Sequence, residues 1–289
     1  MWEYYFVKYL ILIKLGGLVL NPKMNVRKKY VPLTIFSLLG ALALSWVFAS
    51  NFFEIMTMDY DAPDLVGTKS EIRTNFLGQI STWEIFVDSS MFYLINFIPV
   101  FFVLVSLGLY AEKRSIYTMG RHKFKSFKKK IYKDVFEYIV LSTLTVTFTF
   151  ALYFSVGSLF VYRSLEDIGG FASVLPNGFY SNHPYLFFMF MIFTIYLGLA
   201  FTFNLIAVAL VLLLDQEYKV IIGVLAIYFI YGKIGAMSGL VWFDVFTSFT
   251  AFNTLYSTFE TFLPLLGLLI IGLLLLVLGV NKTLTEFEV

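Results

Sequence analysis

Five long stretches of this sequence contain no charged side chain. They cover residues 31–50, 91–110, 138–162, 185–214 and 262–280. A helix needs about 20 mostly apolar residues to cross the hydrocarbon core of a membrane, so each stretch predicts a spanning helix. The whole chain agrees, because only 14% of its 289 residues are charged, against about 25% in soluble domains. These features predict an all-α integral membrane protein and exclude cytosolic enzymes, secreted domains and nucleic-acid binders.

Two parts of this pattern are less regular than the rest. Pro99 lies inside the 91–110 stretch, where we expect it to kink the helix. Residues 220–232 are apolar but short, and Lys233 follows them directly. One interpretation is a single span over 220–243, with Lys233 reaching toward the lipid headgroups. The other is a short span followed by a re-entrant helical hairpin. Both interpretations give six transmembrane helices.

The basic residues are divided unevenly between the two sides of the predicted bundle. Seventeen of the 21 Lys and Arg residues fall on the side that holds both termini and the 111–137 loop. Short loops rich in Lys and Arg stay in the cytoplasm, so we predict a cell-membrane protein with two cytoplasmic termini. The abundance of Phe, Tyr and Lys favours a bacterial source. The chain then divides into a cytoplasmic segment over 1–30, a six-span domain over 31–280 and a cytoplasmic tail over 281–289.

The first 20 residues are apolar but do not predict a span. Lys8 and Lys14 interrupt them, and no small-residue cleavage site of a signal peptide follows. A helix lying on the inner leaflet fits this pattern, with aromatic side chains such as Trp2 and Tyr4 at the level of the headgroups. A processed segment or an additional span is the alternative interpretation.

Motifs for catalysis or for cofactor binding are missing from the sequence. There is no cysteine, and the two histidines, His122 and His183, fall on opposite sides of the predicted bundle. The single Gly-Lys pair, at 232–233, lacks the remaining residues of a phosphate-binding loop. We therefore expect no catalytic, metal-binding or cofactor-binding residue, and no enzyme activity of this chain by itself. If ATP drives the protein, ATP and Mg bind to another chain.

Small and polar residues inside the spans are candidates for a translocation path. They are Gly40, Ser45, Asn96, Thr147 and Asn204. Polar side chains are costly to place in lipid and are therefore often functional. The alternative interpretation is that the two asparagines form hydrogen bonds between helices.

The segment between the second and third spans is the most informative part of the chain. It predicts a short helix over 112–119 that Gly120 can end, followed by a basic run over 120–130. Together with six spans and an inner-leaflet N-terminal helix, this arrangement resembles type-2 ABC exporter permeases. These are the membrane subunits of two-component ATP-driven transporters. The resemblance implies that 112–119 is a cytoplasmic coupling helix, and it favours a re-entrant outer hairpin at 233–260.

The resemblance also implies partners and a cargo. The coupling segment would contact an ATP-binding cassette ATPase subunit through Glu112, Lys113, Arg114, Tyr117, Met119 and Arg121. That subunit would hold ATP and Mg, and a second permease chain would complete a homodimer or heterodimer. The expected cargo, moved outward, is an apolar or amphipathic peptide of the phenol-soluble modulin or bacteriocin type, or a lipid-like molecule. Membrane lipid is a further partner, and nucleic acid is not expected.

Two other function classes stay open at this point. One is a membrane immunity or sensor protein. The other is a polytopic lipid- or cell-wall-modifying transferase that uses the acidic outer loop over 51–88. A neighbouring gene for a soluble protein with a phosphate-binding loop would favour the permease, whereas activity of the purified chain on a lipid would favour the transferase.

Overall fold

The computed structural model of the protein describes five stretches of the chain. They are 22–62, 65–117, 126–161, 173–249 and 259–288. Within them the secondary structure is entirely helical, and no strand occurs. The interfacial helix predicted over the first 20 residues lies outside these stretches and stays a prediction.

The described part of the chain forms twelve α-helices, which we number in chain order. In the first half they are α1 (Pro22–Ala49), α2 (Phe52–Thr57), α3 (Lys69–Ile80), α4 (Trp83–Phe92), α5 (Ile98–Glu112) and α6 (Phe127–Gly157). In the second half they are α7 (Phe179–Asn182), α8 (Pro184–Met191), α9 (Leu197–Leu213), α10 (Glu217–Ser238), α11 (Val245–Phe249) and α12 (Leu263–Glu288). A wider turn of the π type, Ile192–Tyr196, joins α8 and α9 into one continuous helix.

Five helices in the described residues are long and apolar enough to cross a membrane. They are Lys29–Ala49 in α1, Phe127–Gly157, Pro184–Leu213, Glu217–Ser238 and Glu260–Phe287. Four of the five uncharged stretches of the sequence largely coincide with these helices, which confirms the predicted membrane-protein character. Glu217–Ser238 is the helix that the sequence left ambiguous.

The predicted span over 91–110 is not one continuous helix. The helix α4 ends at Phe92, a 3₁₀ turn covers Leu94–Asn96, and α5 begins at Ile98. Pro99 therefore lies in the first turn of α5 rather than at a kink inside a helix. This placement suits proline, because the first turn of a helix needs no donor from its N–H group. A helix of the length of α5 covers about 22 Å, less than the roughly 30 Å of a bilayer core.

The helix α10 covers the region for which the sequence left two interpretations open. It continues past Lys233 to Ser238, because the long lysine stem lets an exposed ammonium group lie at the edge of an apolar helix. Gly239 follows it with a φ of 65°, the left-handed conformation that commonly ends a helix. A turn at Val241–Phe243 and the short α11 come next. Because 250–258 lie outside the described residues, the re-entrant hairpin stays a prediction.

The continuous helix Pro184–Leu213 occupies the centre of the bundle. Its most apolar window is 83% buried within the protein, and α5, α6, α10 and α12 pack around it. Its sequence is apolar on all sides, which is the pattern of a helix without a water-facing surface. The backbone of α12 comes closest, because a Cβ atom on Gly279 would lie 2.9 Å from the carbonyl oxygen of Ala209.

The two ends of the bundle differ in charge, and we name them accordingly. At the basic end, α5, α9 and α12 finish while α6 and α10 begin. Side chains of Lys113, Lys130 and Lys282 lie there. At the acidic end, α1, α6 and α10 finish, and the short helices α2 to α4 lie. Glu54, Glu71 and Glu84 belong to these short helices.

Candidate functional site

Charged side chains meet at the basic end, around the last turn of α9. The ammonium group of Lys113 donates to the carbonyl oxygen of Leu212 at 2.6 Å, and that of Lys282 donates to the carbonyl oxygen of Leu213 at 2.7 Å. The last carbonyls of a helix have no partner within the helix and form the negative end of its dipole. The two lysines, from α12 and from the turn that follows α5, therefore stabilise the end of the central helix.

Two carboxylates complete this arrangement. Glu286 lies 3.8 Å from the ammonium group of Lys113 and 3.3 Å from that of Lys282. Asp215, between α9 and α10, lies 3.6 Å from Lys282. Lys113 is buried among these groups, and the removal of water lowers its pKa below the ordinary lysine value. This cluster links α5, α9, α10 and α12.

A second polar network ties the same turn to α6. The hydroxyl group of Tyr117 donates to Oδ2 of Asp134 at 3.1 Å, and Lys130 pairs with the same oxygen. One turn along α6, the hydroxyl group of Tyr138 donates to Oε1 of Glu112 at 2.8 Å. Both carboxylates are fully shielded from solvent. A buried carboxylate is tolerated only when it is paired or hydrogen-bonded, which these contacts achieve.

Aromatic rings fill the space between these two networks. The ring of Tyr117 contacts the rings of Phe127 and Phe287, with centroids 5.4 Å and 6.2 Å away. Phe127 and Phe287 also contact each other at 6.0 Å. The turn Lys113–Tyr117, of the π type, is therefore enclosed between the start of α6 and the end of α12.

An open groove lies beside this turn, with a volume of about 460 Å³. We call it the basic-end groove. Its lining includes Tyr110, Lys113, Arg114, Asp215, Glu286 and Phe287. Arg114 is exposed. A partner bound there would meet one guanidinium group, two carboxylates and an aromatic floor.

The structure changes the picture of the predicted coupling helix. Glu112 is the last residue of α5, and the chain continues from it as the turn Lys113–Tyr117 without starting a separate helix. Glu112, Lys113 and Tyr117 are buried, and their side chains contact other parts of this chain. Of the predicted contact residues, Arg114 is exposed, whereas Met119 and Arg121 lie outside the described residues. The coupling role of the segment stays a prediction.

The residues proposed for a translocation path lie at separate places. Gly40 lies exposed on α1, with open space where a Cβ atom would be. Ser45 is buried, and its hydroxyl group donates to the carbonyl oxygen of Ser89 at 2.8 Å. Asn96 lies exposed in the turn between α4 and α5.

The other two path candidates lie inside the bundle. Asn204 donates to the carbonyl oxygen of Ala200 and accepts from the hydroxyl group of Ser106, which also contacts Ser142 at 3.2 Å. These contacts join α5, α6 and α9, as the interhelical interpretation predicted. The buried hydroxyl group of Thr147 has no hydrogen-bond partner in the structure. The role of these five residues in a translocation path stays a prediction.

Sequence reasoning missed Asp134, Tyr138, Lys282 and Glu286 as members of the basic-end networks. The available signal was their spacing, since both pairs stand four residues apart and therefore share a helix face. In the described part of the chain, no group of three or more His, Cys, Asp or Glu side chains could hold a metal ion. No family model, no curated protein and no solved structure matches this chain.

Proposed function

We propose that this chain is the membrane-spanning permease subunit of an ATP-driven ABC exporter. A separate ATPase subunit binds ATP and Mg and docks at the basic-end groove. In this proposal the basic end faces the cytoplasm, because membrane proteins keep their Lys- and Arg-rich loops on that side. The chain itself performs no chemistry and moves an apolar or amphipathic cargo outward.

The attachment of the turn Lys113–Tyr117 supports this proposal most directly. The turn continues α5 without a break. Lys113 connects it to α9, and Tyr117 connects it to α6. Glu286 connects it to α12. A partner that displaces the exposed Arg114 therefore acts on α5, α6 and α9 at once, and packed rigid elements can transmit such a displacement.

The enclosed central helix indicates that a conduit needs a second permease chain. Pro184–Leu213 is largely buried by helices of its own chain, which leaves the outer faces of the bundle for a homodimer or heterodimer. The cargo follows from charge. Residues 51–88 include seven acidic and two basic side chains. A negative surface attracts cationic amphipathic peptides, so we propose a peptide cargo.

Co-purification from native membranes tests this proposal. The tagged chain should bring down a protein with a phosphate-binding loop, and the complex should hydrolyse ATP in a vanadate-sensitive manner. Arg114→Glu should abolish both, because it reverses the charge at the rim of the groove.

The control is Arg73→Glu, an exposed arginine on α3 at the acidic end, which should leave the complex intact. If the complex forms unchanged with Arg114→Glu, the basic-end groove is not the docking site. If no hydrolysing subunit accompanies the wild-type chain, the permease proposal is wrong.

A further inference from the structure

We infer that the end of α12 is an autoinhibitory clasp, in which Glu286 and Phe287 occupy the contacts of the turn Lys113–Tyr117 that an acidic and aromatic partner segment would take. The clasp regulates the site described above. Its effect on partner binding rests on the proposed function, whereas its opening and closing do not.

The helix α12 packs closely against α9 up to Gly279 and is held more weakly at its C-terminal end. Up to Gly279 its backbone lies against α9, close enough that a Cβ atom on Gly279 would also meet Cβ of Leu212 at 2.9 Å. Such close backbone approach leaves little freedom to move. Beyond it, Thr283 and Leu284 are still buried, and the last contacts are made by the side chains of Glu286 and Phe287.

These last contacts are of an exchangeable kind. The side chain of Glu286 is 35% exposed, and its carboxylate lies between Lys113 and Lys282 at 3.8 Å and 3.3 Å. Partly exposed ion pairs are weak, and another carboxylate can replace them. The Phe287 ring meets Tyr117 at an interplanar angle of 82°, the edge-to-face arrangement that an incoming aromatic ring can also adopt.

Opening the clasp would uncover the ammonium group of Lys113 and the ring of Tyr117. Lys113 would lose Glu286, the only carboxylate that forms an ion pair with it in the described part of the chain, and Tyr117 would lose the cover of one ring. A buried ammonium group without a counter-charge is costly, so the open state favours a partner that supplies a new carboxylate. The fitting partner segment therefore places an acidic residue beside an aromatic one, as Glu286 and Phe287 do here.

Hydrogen–deuterium exchange of the isolated chain in detergent tests the clasp without any ATPase. Glu286→Gln and Phe287→Ala should each raise amide exchange in residues 113–117 by about tenfold, because exchange reports the population of locally opened states. Exchange in residues 263–275 of α12 should not change. The matched control is Thr285→Ala on the same turn, whose exposed hydroxyl group bonds only to carbonyls of its own helix.

Unchanged exchange in 113–117 in both variants would overturn the clasp. So would a rise that extends to 263–275, because the end of α12 would then be an ordinary part of the bundle. A clasp that opens as expected, in a protein that brings down no ATPase, would refute the proposed function and leave the clasp standing.

Discussion

The two ends of the bundle are joined by different kinds of contact. At the basic end, charged groups from distant parts of the chain meet, as where Lys113 and Lys282 bind the end of α9. At the acidic end, neutral tyrosine hydroxyl groups bind main-chain carbonyls. Tyr231 donates to the carbonyl oxygens of Trp242 at 2.6 Å and Pro264 at 3.2 Å.

Tyrosine hydroxyl groups form the same kind of contact at two further helix interruptions. Tyr228 donates at 2.6 Å to the carbonyl oxygen of Ile95, in the turn between α4 and α5. Tyr196 donates at 3.2 Å to that of Phe249, at the end of α11. A broken helix leaves carbonyls without partners, which is tolerated at membrane depth only if neighbouring groups satisfy them. The tyrosines therefore allow these interruptions.

The difference predicts different responses to the surroundings. Salt and pH change interactions between charged groups, whereas a hydrogen bond between a hydroxyl group and a carbonyl has no charge to screen. We therefore expect the stability that the basic-end contacts provide to change with salt and pH. The stability that the tyrosine contacts of the acidic end provide should not change. The following variants test this contrast.

We expect the largest loss of stability from Gly235→Ala in α10. The added Cβ atom would lie 2.5–2.6 Å from main-chain atoms of Phe243 and Asp244, and backbone atoms cannot move away as a side chain can. We expect a loss of about 3 kcal/mol or more, the upper part of the range for overpacked sites, visible as a large drop in the melting temperature in detergent.

The control is Gly40→Ala on α1, where the space is open. Alanine is favoured over glycine inside a helix by about 0.5–1 kcal/mol, so this variant should melt at the same temperature as the wild type or higher. Equal destabilisation of the two variants would show that the segment after α10 is not clamped against it.

The second effect is expected from Tyr231→Phe. The ring keeps its shape, but the carbonyls of Trp242 and Pro264 lose their shared donor. Leaving buried acceptors unpaired costs about 1–3 kcal/mol. The matched control is Tyr218→Phe on the same helix, which is 57% exposed. The loss for Tyr231→Phe should be equal at low and at high salt, and a loss that shrinks with salt would contradict a neutral bond.

The helices of this bundle were predictable where the sequence is uniform. Uncharged runs of 19 to 30 residues located four of the long helices, because length and hydropathy alone determine a span. The break near Asn96 lies within such a run, so hydropathy could not reveal it. The one local signal was Pro99, because proline disfavours helical conformation in the residue before it.

The candidate site was predictable in position but not in its contacts. The charges at 112–114 marked the basic end, and the sequence treated them as a surface that meets a partner. The partners of Lys113, Leu212 and Glu286, lie about a hundred residues or more away in sequence. Only the packing of α5 and α12 against α9 brings them together, and no local pattern encodes that packing.

A smaller effect, with a different salt dependence, is expected from Lys282→Met at the basic end. Methionine keeps the apolar stem but removes the charge that faces Leu213, Asp215 and Glu286. We expect a loss of about 1 kcal/mol at low salt, typical of a cation at a helix end. Because this site is partly exposed, salt screens it. The loss should shrink in high salt.

The control is Lys219→Met, an exposed lysine near the start of α10, which should change the melting temperature little at any salt concentration. If the loss of stability in Lys282→Met stays constant from low to high salt, the two ends of the bundle do not differ in their salt dependence.

The smallest effect concerns Glu71, a charged helix-end contact at the acidic end. Its carboxylate accepts from the backbone N–H of Thr68 at 2.9 Å and from the hydroxyl group of Thr68 at 2.8 Å. These bonds lower the pKa of Glu71 below its usual value. The pKa of Glu71 is therefore lower in the folded protein than in the unfolded chain. Its ionised carboxylate stabilises α3 at pH values above the unfolded pKa, and this stabilisation is lost as the pH falls through the folded pKa.

Thr68→Ala removes the hydroxyl bond and the cap that Thr68 provides to the first turn of α3. The backbone N–H, which contributes most to the shift, remains. The pKa of Glu71 should therefore rise only part of the way to its usual value, and exchange in the first turn of α3 should increase at neutral pH.

Titration of ¹³C-labelled glutamate carboxyl groups measures the pKa, with the exposed Thr74→Ala on the same helix as control. An unchanged pKa in Thr68→Ala would mean that the hydroxyl bond does not hold Glu71 in solution. A rise confined to α3, with the tyrosine-bound breaks unaffected, would limit pH sensitivity at the acidic end to this exposed helix.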